Sequence, residues 1–151
     1  MPRRRITEEI GIKPGFYVVD YGCGPGSYVV PLSEMVGEKG RVYTLDINPL
    51  AIWKINTVIS KKKLGNVEAI CSDCKTGLAD GSIDAVILYD VLHTLSDPDG
   101  VLTELNRVLK PDGMLSFLDH KTAEDKLVEK ITADGMFRLA TRGKRTYTFK
   151  K

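Results

Sequence analysis

Short hydrophobic runs alternate with amphipathic segments along most of the chain. The runs are rich in β-branched and aliphatic residues, whereas the segments repeat their apolar residues every three to four positions. Near-continuous apolar strands alternating with amphipathic helices are typical of a parallel sheet covered on both faces. The pattern therefore predicts an α/β fold with strands at 16–20, 41–47, 67–72, 83–89 and 113–118.

Capping residues and apolar stripes predict the helices. Asn48 and Pro49 are typical of an N-cap and a first helical position. A helix over 101–109 is expected to stop at the turn 110–113, and a last helix is predicted over 123–133. The inner stripes of the first two helices are predicted to be Val29, Leu32 and Val36, then Ile52, Ile55 and Ile59.

The C-terminal segment predicts a hairpin. Its strands are expected at 136–140 and 147–149, joined across residues 141–145 with Gly143 in the turn. This hairpin adds an antiparallel strand to the sheet. Without linkers or repeats, the sequence predicts one domain over 1–151, with a short segment 1–14 before the first strand.

Composition narrows the classes of function. The chain has 151 residues and a net charge of +2, which is too small to indicate nucleic acid by itself. It has no run near the ~20 apolar residues of a membrane span and no apolar core of a secretory signal, so no membrane partner is expected. Its three cysteines form no disulfide framework. We expect a cytoplasmic protein.

A glycine-rich loop follows the first strand. Asp20 is followed by glycines at alternate positions, giving the spacing D-x-G-x-G-x-G rather than the dinucleotide fingerprint G-x-G-x-x-G. The dinucleotide fingerprint directs a helix N-terminus at a pyrophosphate. An acid before the first glycine instead suits a ligand with an ammonium group or hydroxyls.

The loop resembles motif I of the class I S-adenosylmethionine-dependent methyltransferases. The resemblance covers nearly all of the chain from about residue 11 and is closest to the ubiquinone and menaquinone biosynthesis methyltransferases. The segment 105–113 matches that family's L-x-R-x-L-K-P-G-G pattern, with Asp112 in place of the first glycine. The resemblance implies a Rossmann-like doubly wound sheet of about seven strands, ordered 3-2-1-4-5-7-6 with strand seven antiparallel.

The resemblance also implies an S-adenosylmethionine cofactor, with S-adenosylhomocysteine as product, across the carboxyl ends of strands one to four. Asp46 stands where the family binds the ribose hydroxyls. Asp73 stands where an acid accepts from the adenine amino group, with the N–H of Cys74 at the ring edge. The backbone of Asp90, with its side chain as a further option, is expected to face the sulfonium. The implied cofactor-binding residues are Asp20, Gly22, Gly24, Gly26, Asp46, Ile47, Asp73, Cys74 and Asp90.

Two interpretations of Asp20 stay open at this point. Its carboxylate contacts the cofactor directly, or it braces the glycine loop by accepting backbone N–H bonds. Asp84, inside the fourth strand, is interpreted as structural. Trp53 is also interpreted as structural, either on the seam between helix and sheet or near the adenine.

His93 is the candidate general base, because it follows strand four where the transferred methyl is expected. The alternative is a histidine that caps the next segment or is simply exposed. Asp119 and His120 close strand five. They form an alternative base pair, or a place for a substrate hydroxyl or a metal.

Cys71 and Cys74 have the C-x-x-C spacing of zinc and redox motifs. Zinc needs two more ligands, and the chain has no second pair at ligand spacing. We therefore expect no metal and interpret both as small residues beside the adenine. The final sixteen residues hold six cations and no acid, which indicates a solvated edge or, alternatively, a surface for an anionic substrate.

The sequence therefore predicts an S-adenosylmethionine-dependent methyltransferase acting on a small molecule that it does not identify. Two alternatives are a methyltransferase of nucleic acid or protein and a non-catalytic cofactor-binding subunit. Nucleic acid is disfavoured, because no aromatic and basic platform is visible. A nicotinamide-dependent oxidoreductase is the fourth and least favoured class of function.

Only about fifteen residues precede strand one. Either residues 6–10 form a short remnant of an N-terminal helix, or the site is open. An open site admits a large substrate, needs a second copy or a partner chain to cover it, or belongs to a protein that binds cofactor without turnover.

Overall fold

The computed structural model describes residues 8–24, 26–121 and 123–151, which build one seven-stranded sheet. Its strands alternate with helices, as the hydrophobic pattern predicts. The strands are β1 (Tyr17–Tyr21), β2 (Arg41–Asp46), β3 (Val67–Cys71), β4 (Ile83–Tyr89), β5 (Leu109–Leu118), β6 (Arg138–Arg142) and β7 (Tyr147–Lys150). The helices are α1 (Val29–Val36), α2 (Pro49–Lys62), α3 (Pro98–Val108) and α4 (Glu124–Thr132), with a 3₁₀ turn at Leu92–Thr94.

The strand order confirms the predicted topology. It is β3-β2-β1-β4-β5-β7-β6. The first five strands pair in parallel, and β7 runs antiparallel to both β5 and β6. The carboxyl ends of β1 to β4 therefore meet at one edge of the sheet, where open α/β sheets bind ligands.

Helices cover both faces of the sheet. Successive side chains of a strand point to opposite faces, so Val18 and Val19 of β1 belong to different hydrophobic clusters. The cluster around Val18 includes the buried stripe of α1, and the cluster around Val19 includes those of α3 and α4. This two-sided burial explains the near-continuous apolar composition of the central strands.

The predicted start of β5 is wrong. The strand begins at Leu109, directly after α3, instead of at Gly113. Leu109 pairs with Ile83, and the register then shifts before the next pair, which leaves residues 110–113 as an irregularity inside the strand. Proline and glycine signals fit such a bulge as well as the predicted turn. The first hairpin strand is also displaced, to Arg138–Arg142.

Trp53 does not pack on the seam between helix and sheet, and that prediction is corrected. The inner face of α2 presents Ala51 and Ile55, with Ile52 and Ile59 only partly buried. Trp53 lies two positions from each buried residue, which rotates it to the opposite side of the helix. Its side chain is 64% exposed.

None of the helices in the described ranges has the length and hydropathy needed to cross a membrane.

Candidate functional site

A cavity of about 330 Å³ opens at the carboxyl ends of β1, β2, β3 and β4. Each strand contributes the residues at its end or just beyond it, and α3 closes one side with Val101. Apolar side chains and backbone alternate with acids along the wall. The lining residues are Tyr21, Gly22, Asp46, Ile47, Ser72, Asp73, Cys74, Val91, Thr94, Leu95, Ser96, Asp97 and Val101.

The charges of this cavity all have one sign. Asp46, Asp73 and Asp97 line it, and no lysine, arginine or histidine of the described chain does. Acids without a counter-cation attract a positively charged ligand and repel a polyphosphate. The cavity therefore suits a cationic ligand with hydroxyl groups and an apolar part.

Glycine is required at two positions of the loop after β1. Gly22 has φ +69°, and a Cβ there would overlap the side chain of Val91. Gly26 has φ +83°, and a Cβ would lie 3.0 Å from Cγ1 of Ile55. Only glycine tolerates both the positive φ and the close approach. The loop consequently exposes backbone at the cavity wall.

Asp46 ties the glycine loop to the start of α2. Its Oδ2 accepts the N–H of Gly24 at 2.9 Å, and its Oδ1 accepts the N–H of Asn48 at 2.9 Å. Asn48 in turn caps α2 through the N–H of Leu50, as predicted. The bracing role that the sequence offered for Asp20 is thus performed by Asp46, which also lines the cavity. Each carboxylate oxygen keeps a lone pair for a ligand hydroxyl.

Asp20 is buried directly behind the loop. Its Oδ2 has no hydrogen-bond partner, and neither does Oγ1 of Thr44, the residue opposite it on β2. Burial, together with the neighbouring Asp46 carboxylate, raises the pKa of Asp20 to about 7. Asp20 does not line the cavity. The structure therefore shows a buried acid with an unpartnered oxygen beneath the site.

Replacing Asp20 with asparagine is expected to stabilise the ligand-free protein at alkaline pH. Folding raises the pKa of Asp20 above its ordinary value of 3.8, so wild-type stability falls as the pH rises from about 4 to about 7. The uncharged amide escapes this loss, and Asp20→Asn should be more stable by about 1–3 kcal/mol above pH 7. Urea unfolding at several pH values measures it. The exposed Asp112→Asn is the control, and a difference independent of pH would contradict the expectation.

The loop after β3 forms the opposite wall. Oδ1 of Asp73 accepts the N–H of Cys74 at 2.7 Å, and the hydroxyl of Tyr21 donates to the backbone carbonyl of Asp73. The N–H that was expected to meet the adenine edge is therefore engaged by Asp73 in this structure. Both residues line the cavity, as the sequence predicts for a binding wall.

Glu104 of α3 anchors this loop, a role that the sequence analysis missed. Its Oε2 accepts from the N–H and the hydroxyl of Thr76 at 2.9 and 2.8 Å. Arg107 donates to Oε1 of Glu104 at 2.8 Å and to the carbonyl of Leu78 at 2.8 Å. Hydrogen bonding from Arg107 is the main cause that lowers the pKa of Glu104 to about 2. Arg107 is the arginine of the L-x-R-x-L pattern, and this motif was the sequence signal that could have pointed to the Glu104 network.

Glu104→Gln is expected to destabilise the protein by about 1–3 kcal/mol at neutral pH, because a mostly buried, charge-assisted network loses its anion. The pKa of Glu104 is lowered from 4.5 to about 2, so its stabilisation is complete above about pH 4.5 and disappears as the pH falls to about 2. Urea unfolding should therefore show the difference from wild type shrinking in acid. The exposed Glu129→Gln is the matched control, and an equal loss at both pH extremes would refute the assignment.

His93 forms a close pair with Asp119. Its Nδ1 lies 2.8 Å from Oδ2 of Asp119, which also accepts the backbone N–H of His93 at 3.3 Å. The Asp119 side chain is 0% exposed and that of His93 30% exposed. Burial raises the pKa of Asp119, but hydrogen bonds from His93 and Lys121 outweigh it and lower the pKa overall. Asp119 is therefore held as a carboxylate that orients the imidazole.

His120 pairs with Asp90 instead of Asp119. Its N–H donates to Oδ1 of Asp90 at 2.7 Å, and its Nδ1 lies 2.9 Å from Oδ2. The proposed Asp119–His120 base pair is wrong, because adjacent residues at a strand end point to opposite sides. The Asp90 side chain, offered beside its backbone as a group facing the sulfonium, is held by His120 outside the cavity lining. Val91 lines the cavity in this region.

The cysteines form no metal centre in the described ranges, where no cluster of three potential ligands exists. Cys74 lines the cavity, as expected for a small residue at the site. Cys71 is exposed, and its thiol lies 3.6 Å from the carbonyl of Ile47. Cys23 is buried, and burial raises the pKa of its thiol.

The fold and this site define a class of protein. A family model described as a methyltransferase domain matches residues 12–149. The chain belongs to this methyltransferase family and has the class I, Rossmann-like fold expected from motif I.

Particular relatives sharpen the comparison. The ubiquinone/menaquinone biosynthesis C-methyltransferase UbiE of Teredinibacter turnerae is 31% identical over 84% of this chain and 52% of its own length. The chain thus spans about half the length of the curated relatives it matches. A SAM-dependent methyltransferase from Aquifex aeolicus superposes with a TM-score of 0.86 at 31% identity, covering 97% of this chain and 87% of that one. An arsenic(III) S-adenosylmethionine methyltransferase from Chlamydomonas reinhardtii is 33% identical and superposes with a TM-score of 0.65, covering 73% of this chain and 40% of that one.

Proposed function

We propose that this chain binds S-adenosylmethionine in the cavity and transfers its methyl group to a small molecule. The observation that carries the proposal is the cavity wall, where Asp46, Asp73 and Asp97 stand without a cation. A sulfonium nucleoside is positively charged and carries vicinal hydroxyls, which matches these acids. A nicotinamide dinucleotide would place its pyrophosphate against them at an electrostatic cost.

The residues present fit the cofactor. Asp46 has free lone pairs at the cavity wall to accept from the ribose hydroxyls, with Ile47 beside it. Asp73 and Cys74 would hold the base. The unpartnered oxygen of Asp20 lies behind the glycine loop that would hold the amino-acid part. The remaining binding residues proposed are Gly22, Gly24, Gly26 and Asp90, the last through its backbone.

When bound, the cofactor would supply a sulfonium methyl group, whose carbon bonds to the acceptor in line as the carbon–sulfur bond breaks and S-adenosylhomocysteine leaves. The protein's tasks are to position the acceptor, exclude water and remove a proton where the acceptor needs it. We assign the removal of this proton to His93. Because Nδ1–H donates to Asp119, the Nε2 lone pair remains to accept a proton. Asp119 acts as a positioning residue.

The acceptor class rests on the relatives and on the cavity. The relatives' name indicates a small-molecule carbon acceptor, and the cavity wall carries four apolar side chains beside the acids, those of Ile47, Val91, Leu95 and Val101. We also propose a cytoplasmic location, supported by three free cysteines among the described residues, and one domain over the whole of 1–151.

A non-catalytic cofactor-binding subunit is the second candidate. One observation favours it: neither His93 nor Asp90 lines the cavity. A partner chain or second copy would then be needed to bring an acceptor to the cofactor.

Transfer of labelled methyl from S-adenosylmethionine to a panel of quinols, phenols, amines and thiols tests the function. Turnover on a small molecule supports the proposal. Binding of the cofactor without transfer to any acceptor favours the second candidate, and transfer only to protein or nucleic acid overturns the acceptor class.

A further inference from the structure

An exposed apolar and basic surface lies on α2, beside the mouth of the cavity. Three of the large exposed hydrophobic side chains in the described residues fall within the stretch 47–53, namely Ile47 at 68%, Leu50 at 56% and Trp53 at 64%. Ile47 also lines the cavity. Single exposed hydrophobics are ordinary, whereas a contiguous group marks an interaction surface.

The geometry of α2 brings these residues together with two lysines. Leu50 and Trp53 are three positions apart and neighbour each other on the helix surface. Lys54 follows Leu50 by four positions and Lys61 follows Lys54 by seven, so both lie along the Leu50 side of the helix, and both are exposed. We call Ile47, Leu50, Trp53, Lys54 and Lys61 the docking face.

The lysines of the docking face have no acid beside them on α2, and Asp46 lies at the cavity end of the face, next to Ile47. Residues 47–67 contain four lysines and no acid. Within the described part of the chain, the ion pairs leave Lys54 and Lys61 without an acidic partner. The occupant of this face must therefore tolerate hydrophobic side chains and carry negative charge.

We infer that the docking face binds the surface of an anionic lipid bilayer. A tryptophan and aliphatic side chains flanked by lysines are the composition of helices that lie in a membrane interface. Each lysine near an anionic bilayer raises the affinity of a protein for that bilayer about fivefold. A second copy of the chain is disfavoured, because a two-fold contact would bring the lysines against each other.

Nucleic acid is the other anionic macromolecule. Its bases stack on aromatic rings, but two of the three hydrophobic side chains here are aliphatic and offer no stacking surface. The hydrocarbon region of a bilayer, in contrast, accommodates all three hydrophobic side chains. Peripheral binding through α2 departs from the expectation of no membrane partner, which considered only spanning segments and signal sequences. Membrane binding does not require methyl transfer, although Ile47 belongs to both the docking face and the cavity wall.

Trp53 is the only tryptophan in the chain, so its emission reports on the docking face directly. The full chain is titrated with vesicles of equal parts phosphatidylglycerol and phosphatidylcholine, with pure phosphatidylcholine vesicles, and with single-stranded polyuridylate. With the anionic vesicles, we expect the Trp53 emission to shift to the blue and to be quenched by brominated lipid. Sedimentation with these vesicles should fall about tenfold or more in Lys54→Gln/Lys61→Gln and in Leu50→Ser.

The exposed pair Lys13→Gln/Lys39→Gln, which lies outside the docking face, is the matched control and should sediment like wild type. Circular dichroism checks that every variant is folded. Four outcomes would overturn the inference: no binding to anionic vesicles, binding without a change in Trp53 emission, an emission shift with polyuridylate alone, or a shift that follows protein concentration without lipid.

Discussion

Asp46→Asn is expected to lower the affinity for S-adenosylmethionine by about a hundredfold. The substitution removes the negative charge and at least one acceptor from the cavity wall, and hydrogen bonds to a charged group are worth about 1.5–3 kcal/mol each. The amide oxygen can still accept one of the two N–H groups that Asp46 binds, those of Gly24 and Asn48. The loop should therefore stay close to its native position. Calorimetric titration measures the loss.

Asp99→Asn is the matched control for this prediction. It makes the same change in net charge, but Asp99 is exposed on α3 outside the cavity lining. Its affinity should stay within about twofold of wild type, as for most surface substitutions. Melting curves of both variants separate loss of binding from loss of folding. Equal affinity in folded Asp46→Asn and wild type would show that the cofactor does not use this carboxylate.

His93→Gly is expected to lower methyl transfer by about a hundredfold to ten-thousandfold, while the affinity for S-adenosylmethionine stays nearly unchanged. The glycine variant leaves room for free imidazole, which should restore part of the rate. Asp119→Asn should also slow transfer, because an amide no longer fixes the Nδ1–H tautomer that leaves Nε2 free. Single-turnover rates measure both effects.

His120→Ala is the control, because His120 pairs with the exposed Asp90 in a similar geometry but without a buried carboxylate. It should retain most of the rate. If His120→Ala abolishes transfer and His93→Gly does not, the base is assigned to the wrong histidine. If free imidazole does not restore any of the rate lost in His93→Gly, His93 positions the loop after β4 and transfers no proton.

The hydrophobic pattern was sufficient for the strands and helices, and the resemblance to the methyltransferase family implied the strand order and most of the cavity wall. The glycine loop, Asp46 and Asp73 each follow a buried strand, and parallel strands bring such positions to one edge of the sheet. Cys74 and Ile47 follow from their neighbours in the chain. These features depend on local order along the chain, which hydrophobic periodicity reveals.

The features that could not be predicted from the sequence depend on the orientation of individual side chains. The crosswise pairs His93–Asp119 and His120–Asp90 arise because neighbouring residues at the end of β5 point to opposite sides. The outward position of Trp53 depends on the rotation of α2, which its hydrophobic residues define only weakly, since Ile52 and Ile59 are partly exposed. The anchoring by Glu104 connects α3 to a loop distant in sequence.

Equilibrium titration of the wild-type chain with S-adenosylmethionine and with NAD is the most direct measurement of the central claim, that an acid-lined cavity selects a cationic nucleoside. We expect saturable binding of S-adenosylmethionine and no measurable binding of NAD. Binding of NAD, or a failure to bind S-adenosylmethionine by folded protein, would contradict it.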